Sequence, residues 1–554
     1  MTTMETFLCF GLEFLGKCSY NPHAPQWHVI TLGETIASVS LIIALSQLLT
    51  PVKERKLKKI FPNVYWFWGV ATLFILIASL VPLSPLDGIP VIGFPIFWEL
   101  LGAILLIVGV TTVVISIYSK LNFNAKDADL VLELAERIIA TGSEKDLAEL
   151  ALLLREVLPD LVFHAAQYDT IKAELLRRES KTYNPPTLTV KANNVFKLCT
   201  DESFCSVVVS KEPAFAIILI QSIKKYNSSN HSVKQIVREL VKQAFKNKNS
   251  ILYREGQFKG LGTLSGFTKE MFSDQELNER ISPLAFVETH DGETFYLQAI
   301  KRFGEVLGYS IRSFSDFEDF PFNSISIRLP MKNLIETAES AGYKLDDHNS
   351  DRIYQSESFK ALRKISAAIE DILRTLIENE QLSNQEFISS TSGLDDQLSI
   401  YENVASWIYG FLGALSHTRK HDAALRDLLF PVWFKIYSGF GITEESLFQK
   451  EVQKILERKV NAGLTENFER GLYPAISRPL LALYGLFRES VLNSSYLIHK
   501  SSVLNYVSGH FKKSYKADPE TAKAMLPAGM SYMEDLEKIK QTMWRRDEVY
   551  LDVK

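Results

Sequence analysis

Lys234, Arg238, Lys242 and Lys246 recur at every fourth position, a spacing that aligns four cations along one face of a helix. Val233, Val237, Leu240, Val241 and Ala244 supply an apolar side. Ser232 and Gln235, three residues apart, form a capping-box pattern that predicts where the helix starts. Lys224 and Lys225 precede the stripe, and Lys248, Arg254 and Lys259 follow it. Tyr226, Phe245 and Tyr253 lie among these charges. The chemistry open to such a set is non-covalent: cations track phosphates while rings stack on bases, as in the binding of single-stranded nucleic acid. The candidate ligand-binding residues are therefore Lys224, Lys225, Lys234, Arg238, Lys242, Lys246, Tyr253 and Arg254. Two other readings stay open, a solvated helix face and a face turned to anionic lipid headgroups. Inside the stripe, Glu239 alone offsets the positive charge.

Covalent chemistry finds less support. The chain has no phosphate-loop motif, no Gly-x-Gly-x-x-Gly after a strand-like run, no Gly-x-Ser-x-Gly and no His-Glu-x-x-His. His417 and His421 are four residues apart with Asp422 adjacent, but two histidines are a weak metal signal, and a helix cap or anion contact is the favoured role. No catalytic residue, metal site or cofactor is predicted, and the chain is not expected to be an enzyme. The formal net charge of -4 over 554 residues argues against a general nucleic-acid coat, so any anion site must be local. Cys9, Cys18, Cys199 and Cys205 do not space as a disulfide framework or a zinc site.

Three apolar runs precede these residues: 29–49, 64–83 and 94–118. Each is close to the ~20 residues that a helix needs to cross a bilayer. The loop after the first run holds Lys53, Arg55, Lys56, Lys58 and Lys59, whereas the loop after the second has only Asp87. Positive charge in short loops stays cytoplasmic, which places the N-terminus outside and everything after Tyr118 inside. Residues 1–28 lack a basic n-region and are expected to form a short amphipathic segment at the membrane surface. Glu34 and Glu99 lie inside the first and third runs. Gly33, Ala37, Ser40, Ala44 and Gln47 make a small or polar stripe along the first. Such stripes serve close helix packing, with the glutamates reaching toward water, or they line a pore. Three spans do not enclose a water path, so a pore requires several subunits. Glu34, Ser40 and Gln47 are the candidate pore residues.

Beyond the spans, 125–163 has helical periodicity interrupted at Thr141-Gly142-Ser143. Ser206–Ser210 is strand-like, and Asp291-Gly292 between two apolar runs predicts a hairpin of Leu284–Thr289 with Thr294–Ala299. Phe314, Phe317, Phe320 and Phe322 interleave with acids. From Asp351 onward the pattern is helical, with Phe359, Leu362, Ile365, Ile369, Ile372 and Leu376 on one stripe. Further helices are predicted near Ser399–Ser416, Asp422–Tyr437, Glu444–Ala462, Phe468–Leu492 and Met533–Arg546.

The expected fold class is a mainly α membrane protein: three N-terminal transmembrane helices, then a large cytosolic α-rich body with a small α+β segment. The expected divisions are 1–28 (extracytoplasmic), 29–120 (transmembrane), 121–180 (helical linker), 181–345 (mixed α+β, ligand-binding) and 346–554 (helical). Three N-terminal spans, a basic inner loop, the cationic helix Lys234–Lys246 and a large body without catalytic motifs resemble effectors of bacterial anti-phage defence that answer to nucleotide signals. Among these the layout is most similar to the Hailong B type. The resemblance implies a tetramer in the bacterial inner membrane. It also implies a single-stranded DNA oligomer, made by a partner nucleotidyltransferase, that holds the effector inactive. On this reading the chain is an oligomeric pore in membrane lipid, gated by an oligonucleotide on its cytosolic body. The alternative is a membrane-anchored interaction scaffold or sensor without channel activity.

Overall fold

The computed structural model describes residues 123–125, 127–178, 186–257, 266–314, 324–347, 350–379, 399–418, 421–437, 446–470, 476–485, 494–527, 529–542 and 548–553, with 5–8, 17–20 and single positions between 37 and 111. The described residues are mainly helical. They divide into two compact units, 1–164 with 182–199, and 165–181 with 200–554.

In the first unit, β1 (Glu5–Leu8) pairs antiparallel with β2 (Lys17–Tyr20), where an amphipathic surface segment was expected. Ala37, Ser40 and Ala44, Gly69, Val70 and Leu73, and several positions from Leu100 to Thr111 are helical, so each apolar run contains helical residues. Glu34 and Gln47 lie outside the described residues; Ser40 is exposed. Among the described residues no single helix is long and apolar enough to cross a membrane. α1 (Ala128–Thr141) ends at Gly142, as the sequence predicts. α2 (Glu144–Arg178) then begins with Ser143 and Asp146 capping each other: the Ser143 hydroxyl donates to Asp146 at 2.8 Å, and Asp146 N–H donates back at 3.3 Å. The Ser143 N–H, which donates to the Asp146 carboxylate at 3.0 Å, and then the Ser143 hydroxyl hold that carboxyl below its usual range. α3 (Thr187–Leu198) packs on α1, and Lys191 pairs with Asp129 at 2.5 Å.

The second unit opens with α4 (Glu202–Lys211), α5 (Pro213–Tyr226), α6 (His231–Lys246) and α7 (Ile251–Gln257). Ser206–Ser210, expected as a strand, lies within α4. Its valines are β-branched, but Val207, Val208 and Val209 are all buried, and the Asp201 side chain caps the helix through Phe204 N–H at 2.9 Å. Burial on neighbouring helices overrides a weak local preference. α8 (Phe267–Phe272), α9 (Gln275–Ile281) and a 3-10 turn (Pro283–Phe286) follow. The expected hairpin is absent: a single bridge, His290 to Phe295, closes the Asp291-Gly292 turn. Asp291 accepts the Glu293 and Thr294 N–H groups, and from Leu297 the chain is helical. Among the described residues of 181–345 there is thus no α+β segment.

α10 (Leu297–Phe314) packs on α12 (Glu357–Ile377), and α11 (Ile325–Leu345) packs on both α12 and α13 (Ile400–Ser416). Gly304 permits the α10–α12 approach, because a Cβ there would collide with the Ala368 side chain. The α12 stripe predicted from Phe359 to Leu376 is buried throughout. α13 and α14 (Asp422–Tyr437) begin and end where the sequence placed them. α15 (Leu447–Arg470) runs through Phe468, and α16 (Ser477–Tyr484) is short, so the predicted helix 468–492 is not one element. α17 (Ser494–Ala517) and α18 (Pro519–Ala524) lead into an antiparallel meander of β3 (Met530–Met533), β4 (Lys538–Thr542) and β5 (Glu548–Asp552). Over 533–542 that sheet stands where a helix was expected over 533–546, and 543–546 lie outside the described residues. Residues 317, 320 and 322 lie outside the described residues.

Candidate ligand-binding cleft

The cationic helix α6 forms as predicted, but its cap is Asn230, not Ser232. Buried Asn230 accepts the Ser232 and Val233 N–H groups at 2.9 and 3.1 Å, and its amide donates to the Ala165 carbonyl at 3.0 Å. Val233, Ile236, Val237, Leu240, Val241 and Ala244 are at most 1% exposed, which fixes the rotation of the helix and therefore the direction of its cations.

The four stripe cations do not form one open surface. Arg238 donates through Nε to the Ile281 carbonyl, the last of α9, at 3.1 Å, and its guanidinium lies 4.1 Å over the Phe286 ring. Desolvation there lowers its pKa. Lys242 pairs with Glu288 at 2.9 Å and Lys246 with Glu202 at 2.5 Å. These partners raise both lysine pKa values against the opposing effect of burial. Glu239, the acid visible in the stripe, instead accepts from Gln243 at 2.8 Å. Lys234 is half-buried and has no ion pair among the described residues.

The flanking candidates separate from the stripe. Lys224 pairs with Glu270 at 3.2 Å and lies 3.6 Å from Asp274. Lys225 is exposed, 5.1 Å over the Tyr226 ring. Arg254 donates to the Ser210 carbonyl at 2.7 Å, near the C-terminus of α4, where a cation is favourable. The Tyr253 hydroxyl donates to the Phe245 carbonyl at 2.7 Å, and burial pushes its pKa up to about 12.

The C-terminal half of the stripe opens into a cleft of about 430 Å³. Lys242, Lys246 and Lys248 supply its positive charge, and Glu288 and Glu357 oppose it. Phe245, Tyr253, Phe295 and Tyr296 supply rings. Phe295 is buried beneath Lys344, whereas Tyr296 is 37% exposed and is the face open to stacking. Leu297, Gln298 and Ala299, the first turn of α10, complete the wall, so the positive end of an 18-residue helix borders the cleft. One turn beyond Gln298, Arg302 is 4% exposed. It pairs with Glu305 at 3.0 Å, and its Nε and Nη2 have no hydrogen-bond partner among the described residues. Its charge acts on Tyr253 in the cleft wall. Lysines, an exposed ring and a helix N-terminus together suit a ligand with phosphate at one end and a flat ring at the other.

Of the predicted residues, the cleft brings together Lys242, Lys246 and Tyr253. Arg238, Lys224 and Arg254 hold neighbouring backbone or acids instead. Sequence reasoning missed Tyr296, Gln298 and Arg302, because the 284–299 stretch reads as a hairpin and hides the start of α10. Among the described residues no group of three or more His, Cys, Asp or Glu could hold a metal. His417 stacks on Tyr343 at 3.8 Å, and Asp422 binds Arg478 at 2.8 and 3.1 Å. No protein family matches the chain, and no curated protein matches it.

Proposed function

We propose that this chain is the membrane effector of a bacterial anti-phage defence system, a homo-oligomeric pore whose cytosolic body binds a single-stranded oligonucleotide. The observation that carries the ligand class is the cleft, where three lysines face an exposed ring at the start of α10. Its volume suits a nucleotide and is too small for a duplex. Support for a membrane part comes from the three apolar runs and from Leu73, Leu100, Ile104, Ile107 and Val108, large apolar side chains that are exposed within them. The chain passes from the first unit to the second inside α2, at Ala165. A ligand bound by the second unit then gates the spans only through its differential affinity for two states of the assembly. A tetramer and a partner nucleotidyltransferase belong to the same reading.

The test uses full-length protein purified in detergent and read by its 260/280 nm absorbance ratio. A ratio raised by bound nucleic acid, removed by DNase, and lost in the K242E/K246E/K248E variant is expected. Protein that is free of nucleic acid and binds no single-stranded DNA at physiological salt rejects the ligand. Ion flux from liposomes then separates the pore from the scaffold: a tether leaks nothing with or without ligand.

A further inference from the structure

A second concave site lies around the start of α12. Tyr354, Phe359, Arg363, Arg426 and Phe430 surround about 540 Å³. Tyr354 is 49% and Phe430 44% exposed, unusual for rings that form a concave wall. Phe359 forms the floor and meets Tyr354 edge-on, with centroids 4.8 Å apart. The Tyr354 hydroxyl donates to Asp427 at 3.1 Å, which fixes the ring and engages the one acid that lines the groove. Arg363 on α12 and Arg426 on α14 are exposed, and neither has a hydrogen-bond or ion-pair partner among the described residues. α12 and α14 pack together, so both guanidinium groups are carried by one rigid helix pair. Free guanidinium groups beside open aromatic faces bind phosphate and stack on bases.

The groove adjoins the lysine cleft. Glu357 lines the cleft and Phe359 the groove, and both belong to the first turn of α12. Lys360, also exposed and without a partner among the described residues, stands three positions after Glu357 and three before Arg363. Residues three apart are neighbours on a helix surface. Exposed Lys360 therefore stands between Glu357 of the cleft and Arg363 of the groove on one face of α12, a width of about 9 Å at 1.5 Å per residue. A mononucleotide does not span that width, whereas a short strand does.

We infer that a single-stranded oligonucleotide seated in the lysine cleft continues past Lys360 into the Tyr354–Arg363–Arg426–Phe430 groove, which takes a further nucleotide of the same strand. This inference rests on the nucleotide reading of the cleft.

The experiment measures binding of a fluorescein-labelled single-stranded DNA tetranucleotide, and competition by a deoxynucleoside monophosphate, to full-length protein in detergent. R363E/R426E is expected to weaken the tetranucleotide at least tenfold and to leave the mononucleotide within twofold; the neutral R363Q/R426Q shows the same split in smaller degree. Tetranucleotide binding that survives R363E/R426E overturns the inference, and so does an equal loss for both ligands. If wild type binds the mononucleotide and K242E/K246E abolishes that, while the arginine variants change nothing, the groove fails and the cleft stands. If wild type binds neither probe, both fail.

Discussion

His499 sits among Trp433, Tyr437 and Tyr484, with ring centroids 4.9 to 5.6 Å away, at 1% exposure. The Tyr484 hydroxyl lies between the Trp433 indole N–H and His499 Nδ1, and His499 Nε2 has no hydrogen-bond partner among the described residues. Among the described residues no acid offsets the cost of an imidazolium, and burial pushes the pKa down to about 3. The native state therefore favours the neutral imidazole near neutral pH. A depressed histidine contributes stability above its unfolded pKa of about 6.5. As pH falls below that value the unfolded chain takes up a proton that the native state refuses, and stability is lost toward the folded value. The predicted slope is about 1.4 kcal/mol per pH unit for this one group. Between about pH 5.5 and 4.5, where the unfolded histidine is almost fully protonated, wild type should lose about that much more stability than His499→Phe. Parallel pH dependence in the two proteins would refute a neutral buried His499.

At the scale of the element, α6 is set by a residue outside its charged stripe. Asn230 caps the helix and ties it to the Ala165 carbonyl in one side chain. Asn230→Ala should cost about 1–2 kcal/mol, because it removes a cap and the amide's bond to the Ala165 carbonyl. Asn230→Asp keeps the acceptor and loses the donor, and should fall between. Urea denaturation that leaves Asn230→Asp as stable as wild type would show that the tether contributes nothing. The same helix shows what sequence makes legible. Its amphipathic period and its cations are local, and so are the Ser399 cap and apolar run that placed α13. The valines of α4 misled, because their preference for strands is weaker than burial against α6. Met533, Leu536 and Ile539 have helix-like spacing, yet Ile539 alone of the three is fully buried, in a strand whose neighbours alternate outward. The cations of the cleft were visible, but the acids that pair with them were not. Glu202, Glu288 and Glu357 come from three separate elements, and only the fold brings them near Lys242 and Lys246.

The whole molecule is weakly acidic, with a formal net charge of -4, so a polyanion approaching it gains nothing from the average field. Attraction must come from the local cluster of Lys242, Lys246 and Lys248, part of whose charge is already held by Glu202 and Glu288. Those pairs are half-exposed and screened, so phosphate can replace the carboxylates at small cost. This arrangement makes a definite statement about salt. Each phosphate neutralised on a single strand contributes about -0.7 to the slope of log K against log salt. Three lysines acting alone give a slope of about -2, and the addition of Arg363 and Arg426 steepens it to about -3.5 once the strand is long enough to carry five phosphates, which a tetranucleotide is not. A solvated lysine face without a site would instead give weak binding whose slope keeps growing with strand length. Titration of full-length protein with strands of four, eight and sixteen nucleotides across a salt series distinguishes the two. A slope that saturates by eight nucleotides is the expected result, and K248A should make it shallower by about 0.7. Continued growth to sixteen would mean that the cations act as a diffuse patch and that the cleft does not define the ligand.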